Sequence, residues 1–309
     1  MRVPSEGKGR AVSLFPSLST RGDINQTVFM FIEDVHLAVM PIGGRTDKFP
    51  DFSATITGQA SDRKRALLLL ASLKNRYHDG DKEAISDRVN EIAEHLSWRG
   101  RAFYEIVQNA GEQNGYSLHG FTSAHLIRVP GFYIQLVPLA DYKYVEKRFI
   151  VLPSKLVWEI TMPRCLGGVR GYRTVLSRLK RFDILGPKFW QRDLEMRKRM
   201  PNFSLIEYVG IAEAYQSRVT KEWGWNRRDY TLENNTEYYS IYKRITRARA
   251  QALLRTHIIN EINKLLRRLS IAARIEINGL PSADDVSKIL GDLAAGKLSF
   301  TRALDSVSF

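Results

Sequence analysis

Residues 235–269 read NTEYYSIYKRITRARAQALLRTHIINEINKLLRRL. Tyr238, Ile241, Ile245, Ala248, Ala252, Ile259, Ile262 and Leu266 recur at steps near the helical period and form one apolar face. Lys243, Arg247, Arg249, Lys264, Arg267 and Arg268 fall largely on the opposite side. At about 1.5 Å per residue the pattern predicts a helix roughly 50 Å long. A helix of that length either spans a large assembly or breaks midway. Its apolar face carries the small residues Ala248 and Ala252, which let another helix approach closely. A single compact chain of this size offers too short a core to bury all of it, so a neighbouring subunit is expected to cover part of the face.

The same region carries the charge. The chain has 47 Lys+Arg against 33 Asp+Glu, a formal excess of +14. Residues 164–268 hold 23 of those basic and 10 of those acidic residues, so nearly the whole excess sits there. A field of this kind attracts phosphates or anionic lipid heads. The long basic pattern carries tyrosines and scattered arginines where a membrane helix needs a clean apolar face, and no segment reaches the roughly 18 apolar residues of a span. Nucleic acid is therefore the expected polyanion, and no membrane partner is expected. Arg170, Arg173, Lys188, Arg192, Arg227, Arg228, Lys243, Arg247, Arg249, Arg255, Arg267 and Arg268 are the candidate contacts. Lysine and arginine reaching phosphate oxygens would bind without reading sequence. Trp190, Trp223 and Trp225 lie among these cations, either to stack on bases or to fill the core while the cations stay wet.

Composition narrows the rest. Apolar residues make up 44% and aromatics 10% of 309 residues, enough for a sizeable folded core. Cys165 is the only cysteine, which excludes an internal disulfide and multi-cysteine metal sites and suits a reducing compartment. His36, His78, His95, His119, His125 and His257 show no metal-ligand spacing on one helix. His119 and His125 flank Ser123, but nothing supplies a third partner or an oxyanion hole. Residues 291–297 (GDLAAGK) nearly spell a phosphate-binding loop, yet Leu298 stands where Ser or Thr would hold magnesium, and Gly296 reads as a helix end. Gly168-Val169-Arg170-Gly171 is a basic G-x-x-G that serves equally as a turn into a helix. No catalytic residue, metal or cofactor is expected.

Outward from the long helix the chain reads as α+β. Residues 1–22 are Gly-, Pro- and Ser-bearing and predict a flexible arm. The apolar runs 28–32 and 37–42 predict a strand pair. Residues 62–76 and 82–98 predict helices, the second with a stripe of Ile85, Val89, Ile92, Ala93 and Leu96 ended by Gly100. Strands are expected at 102–107, 132–137, 148–152 and 156–162, punctuated by prolines and laid against the two helices. Helices are expected at 172–185, 188–199 and 204–223. A strand at 273–277 follows the long helix. Ser282 with Asp285 forms a variant capping box for a helix to about 293, and residues 299–307 predict a last one.

Taken in order, these pieces resemble a diverged portal protein of a tailed bacteriophage or prophage. Residues 95–107 (HLSWRGRAFYEIV) are similar to the helix-then-strand segment of portals, with Gly100, Tyr104, Glu105 and Ile106 at the glycine, aromatic and E-I places. Residues 134–138 (IQLVP) and 156–163 resemble the strands that follow. Residues 206–225, then 236–266, resemble a helix, a W-G turn and a long helix ending as HIINEINKL at 257–265. The resemblance implies a wing-like α+β domain at 23–163, a stem-like basic helical region at 164–270, and a C-terminal strand with short helices at 271–309. It implies a structural protein without enzymatic activity: a homo-oligomeric ring of about a dozen subunits. Such a ring sits at a virion capsid vertex, assembled in the bacterial cytoplasm, and passes double-stranded DNA during packaging and ejection. Capsid, terminase and head–tail adaptor proteins would be its partners. Two alternatives stay open: a non-ring nucleic-acid-binding protein of a mobile element or defence system using the same basic region, and an enzyme with an unrecognised site.

Overall fold

A computed structural model of the chain describes residues 26–37, 39–41, 52–71, 80–108, 115–121, 125–137, 147–180, 205–227 and 236–307. The expected arm at 1–22 and the helix at 188–199 lie outside the described residues, as do residues 38 and 42 of the 37–42 run. The order is α1 (Gln26–His36), β1 (Ser53–Gly58), α2 (Ala60–Ala71), α3 (Asp81–Arg99), β2 (Arg101–Gln108), β3 (Tyr116–Phe121), β4 (Leu126–Val129), β5 (Phe132–Leu136), β6 (Phe149–Pro153) and β7 (Val157–Thr161). It continues with α4 (Gly168–Lys180), α5 (Leu205–Val219), α6 (Glu237–Arg268), β8 (Ala273–Asn278), α7 (Ala283–Ala294) and α8 (Phe300–Asp305). The class is α+β.

The first run of the expected strand pair, 28–32, is instead helical, and the described residues of the second run, 37 and 39–41, form no strand. A short apolar run does not distinguish a strand from a buried helix. Phe31, Ile32 and Val35 bury together at helical spacing, and the buried Asp34 accepts a hydrogen bond of 2.7 Å from Trp225 Nε1. Elsewhere the periodicity reads true. In α3, Ile85, Val89, Ile92, Ala93 and Leu96 are buried, and Gly100 ends the helix in the left-handed region at φ 72°, returning its N–H to Leu96. The chain then enters β2 directly.

β2 is the middle strand of an antiparallel sheet ordered β3-β2-β7. Both its faces are covered. Ala102, Tyr104 and Ile106 join the main core with α2 and α3, whereas Phe103 joins Phe121, Tyr133, Ile150, Leu152 and Val157 in a second core. That second core is closed by an antiparallel sheet ordered β4-β5-β6. Opposed residues share a face, and the register Ile127↔Ile134↔Val151, Val129↔Phe132↔Pro153 and Leu136↔Phe149 makes the outer face of this sheet wholly apolar. Ile127, Phe132, Phe149 and Val151 on it are 48%, 46%, 61% and 50% exposed.

The long helix is one unbroken α6 of 32 residues, capped at its start by Thr236, which accepts from the Tyr239 N–H. Most of the apolar face, part of which a neighbouring subunit is expected to cover, is buried within the chain, with Tyr238 exposed and Ile259 half-buried. Ile241, Ile245 and Ala248 pack against Val286, Leu293, Ala303 and Val307 of the C-terminal helices and the residue just beyond them. Leu254, Ile258, Ile262, Leu265 and Leu266 lie in the main core, and Ala252 is fully buried. The C-terminal helices extend the fold along the helix, so one chain accommodates about 48 Å of it. The main core also crosses residue 163, joining Leu96 and Tyr104 to Tyr172, Trp223 and Leu254.

β8 pairs antiparallel with β1, from Ser53↔Asn278 to Gly58↔Ala273. The capping box of α7 forms as read: the Ser282 hydroxyl and N–H both donate to Asp285, at 2.7 and 3.0 Å, and the Asp285 N–H donates to Ser282 Oγ. Side-chain and then backbone hydrogen bonds from Ser282 lower the Asp285 pKa below the ordinary carboxylate value. A depressed folded pKa gives support that is complete above the ordinary value and is lost as pH falls through the folded one. Acidification should therefore reduce hydrogen-exchange protection in α7 before that in α3. Equal loss in both helices would contradict this.

Candidate nucleic-acid interface

Helix α4, GVRGYRTVLSRLK, contains no acidic residue. Tyr172, Val175, Leu176 and Leu179 step by three, one and three, so they share one face, which packs into the main core. Tyr172 anchors that face: its hydroxyl donates to the Ser97 carbonyl at 2.6 Å, its ring stacks on Phe31, and burial raises its pKa far above the usual phenol value. With that side buried, Arg170, Arg173, Thr174, Ser177, Arg178 and Lys180 are left exposed on the other.

The exposed face of α4 meets the α3–β2 junction. Arg173 Nε donates to the Arg99 carbonyl at 3.1 Å, close to the left-handed turn at Gly100. Partial burial and the neighbouring Arg173 both push the Arg99 pKa down. Between these elements lies an open hollow of about 600 Å³ lined by Arg101, Val169, Arg170, Arg173, Thr174, Ser177 and Arg178. Arg101 is held from behind by Glu159 at 3.3 Å, a carboxylate that also accepts from Tyr133 and sits 3.6 Å from Arg128. The Thr174 hydroxyl donates to the Arg170 carbonyl at 3.0 Å, so the forked guanidinium donors and the Ser177 hydroxyl are what can take an oxyanion at the open hollow.

Of the expected contacts, the structure brings together Arg170 and Arg173. Lys188, Arg192 and Arg228, with Trp190, lie outside the described residues. The others are dispersed. Arg227 pairs with Glu213 at 3.1 Å, and Lys243 sits over the Tyr239 ring at 4.6 Å. Arg247 donates to the Asp34 carbonyl at 3.1 Å, and Arg249 donates to Ser287 Oγ at 2.7 Å. Arg268 donates to the carbonyls of Val157 and Lys155, leaving Arg267 exposed beside it. Arg255 requires a correction. It is 4% exposed and bonded to the Pro281 carbonyl, burial pushes its pKa down to about 10, and it cannot reach a phosphate from there. Trp223 and Trp225 are buried against Phe31 and fill the core.

Sequence reasoning missed Arg99, Arg101 and Arg178. Arg178 was accessible from the 3.6-residue spacing of an acid-free helix. Arg99 and Arg101 come from the half of the chain whose net charge is near zero, and the Gly100 turn carries them to α4. The two loop motifs are helix ends: Gly168 opens α4, and the Lys297 N–H returns to the Asp292 carbonyl after Gly296 at φ 68°. Among the described residues no group of three His, Cys, Asp or Glu side chains converges as metal ligands, and no helix is long and apolar enough to cross a membrane. No family model matches the chain, and no curated protein matches it.

Proposed function

We propose that the chain is a structural subunit of a portal-like ring that holds or conducts double-stranded DNA at a capsid vertex. The order of elements supports the resemblance: α3 runs through Gly100 into β2, and α5 runs through the Trp223-Gly224 turn toward the unbroken α6. The observation that carries self-association is the outer face of the β4-β5-β6 sheet, apolar at every position on all three strands. Contiguous exposed patches of this kind mark interaction surfaces, and a second copy is the occupant a ring supplies. The acid-free face of α4 is the surface offered to DNA.

Native mass tests this directly. The purified chain of 35.4 kDa should run as a closed particle of roughly a dozen copies. Changing Phe149→Glu and Val151→Glu together should release folded monomer, because it buries unpaired charge in the interface. A wild-type monomer would overturn the ring and leave the second reading, a non-ring nucleic-acid-binding protein. One observation favours that second reading: α6 buries most of its apolar face within its own chain.

A further inference from the structure

We propose that the hollow between α4 and the α3–β2 junction grips backbone phosphates of nucleic acid and favours duplex over single strand. It deepens the reading of the chain as a DNA-contacting protein and rests on it. Four arginines, Arg101, Arg170, Arg173 and Arg178, line the hollow with Thr174 and Ser177, and among the described residues its lining contains no carboxylate. Two of the four are held in place: Arg101 by Glu159 and Arg173 by the Arg99 carbonyl. A guanidinium fixed by one partner presents its remaining N–H groups with less ordering cost.

Among the described residues the lining also contains no aromatic ring. Single-strand binders hold bases on aromatic platforms, and this hollow offers none. What remains is attraction to charge, which is densest on a duplex, at one phosphate per about 1.7 Å of axis. From Arg170 to Arg178 the helix advances about 12 Å, long enough to meet several phosphates.

Fluorescence anisotropy on the full chain tests it, with a labelled mixed-sequence duplex of about 24 base pairs, either single strand, and inorganic pyrophosphate as competitor. The variant Arg170→Ala/Arg173→Ala/Arg178→Ala should weaken duplex binding at least about tenfold near 100 mM salt. It should also flatten the log–log salt slope by about 3. A control removing equal charge elsewhere, Arg244→Ala/Lys264→Ala/Lys297→Ala, should change affinity less than about threefold. Arg170→Gln/Arg178→Gln, which leaves the Arg173–Arg99 bond intact, should show the same trend if the triple variant folds poorly. Equal losses in both triples, tighter binding of single strand, or saturation by pyrophosphate without duplex binding would each overturn the assignment. Native mass is read separately, so a failed ring leaves these binding results interpretable.

Discussion

Replacing Arg88 with methionine should destabilise the protein by about 3–5 kcal/mol, the usual consequence of removing one partner from a buried charged network. Arg88 is 2% exposed. Its Nε donates to the Leu70 carbonyl at 2.9 Å, a second guanidinium nitrogen donates to the same oxygen, and a third group lies 3.3 Å from Glu91. Burial lowers its pKa, with Glu91 opposing. Leu70 is in the last turn of α2, where carbonyls lack intrahelical partners, so a side chain of α3 closes the end of α2. Methionine would keep the volume but strip the Leu70 carbonyl and Glu91 of this donor. Urea unfolding measures the effect. Arg88→Lys, reaching one acceptor in place of two, should fall between. A loss below about 1 kcal/mol for Arg88→Met would show that water replaces the guanidinium.

Gly224→Ala should cost about 4 kcal/mol, combining left-handed backbone strain with steric conflict. Gly224 has φ 59°, and an added Cβ would lie 2.3 Å from the Lys243 carbonyl oxygen and 2.5 Å from the Arg247 nitrogen. Both are backbone atoms of α6, which cannot yield as a side chain can. Gly296 is a matched control: its φ is 68°, but nothing lies within 4 Å of its Cβ position. Gly296→Ala should therefore cost only about 1 kcal/mol. Similar melting temperatures for the two variants would show that the turn before α6 moves aside.

Elements whose signal is local were legible. α3 and α6 announce themselves by period, Gly100 by its place after a stripe, and α7 by its capping box. α1 was not legible, because its apolar run is as short as a strand, and the Asp34–Trp225 hydrogen bond that helps fix it joins residues 191 positions apart. β1, SATITG, buries only Ala54 and Ile56 and takes its identity from a distant partner. The site was half legible for a different reason. Net charge counts cations, but an arginine's long stem lets it reach carbonyls inside the fold. Arg247, Arg255 and Arg268 are occupied in that way. Free charge is found where a helix has basic residues on its wet face and no acid, as in α4.

The β1–β8 pairing has a consequence for synthesis. Thr57 and Arg274, bonded across that ladder, are 217 residues apart. At roughly 5–20 residues per second, β1 waits about 10–40 s after leaving the ribosome before its partner exists. During that interval its unpaired edge and the buried sides of Ala54 and Ile56 stand open, as does the groove later filled by the C-terminal half of α6. The longer that interval, the longer these apolar surfaces are open to aggregation, so expression should improve when translation is fast or holding chaperones are abundant.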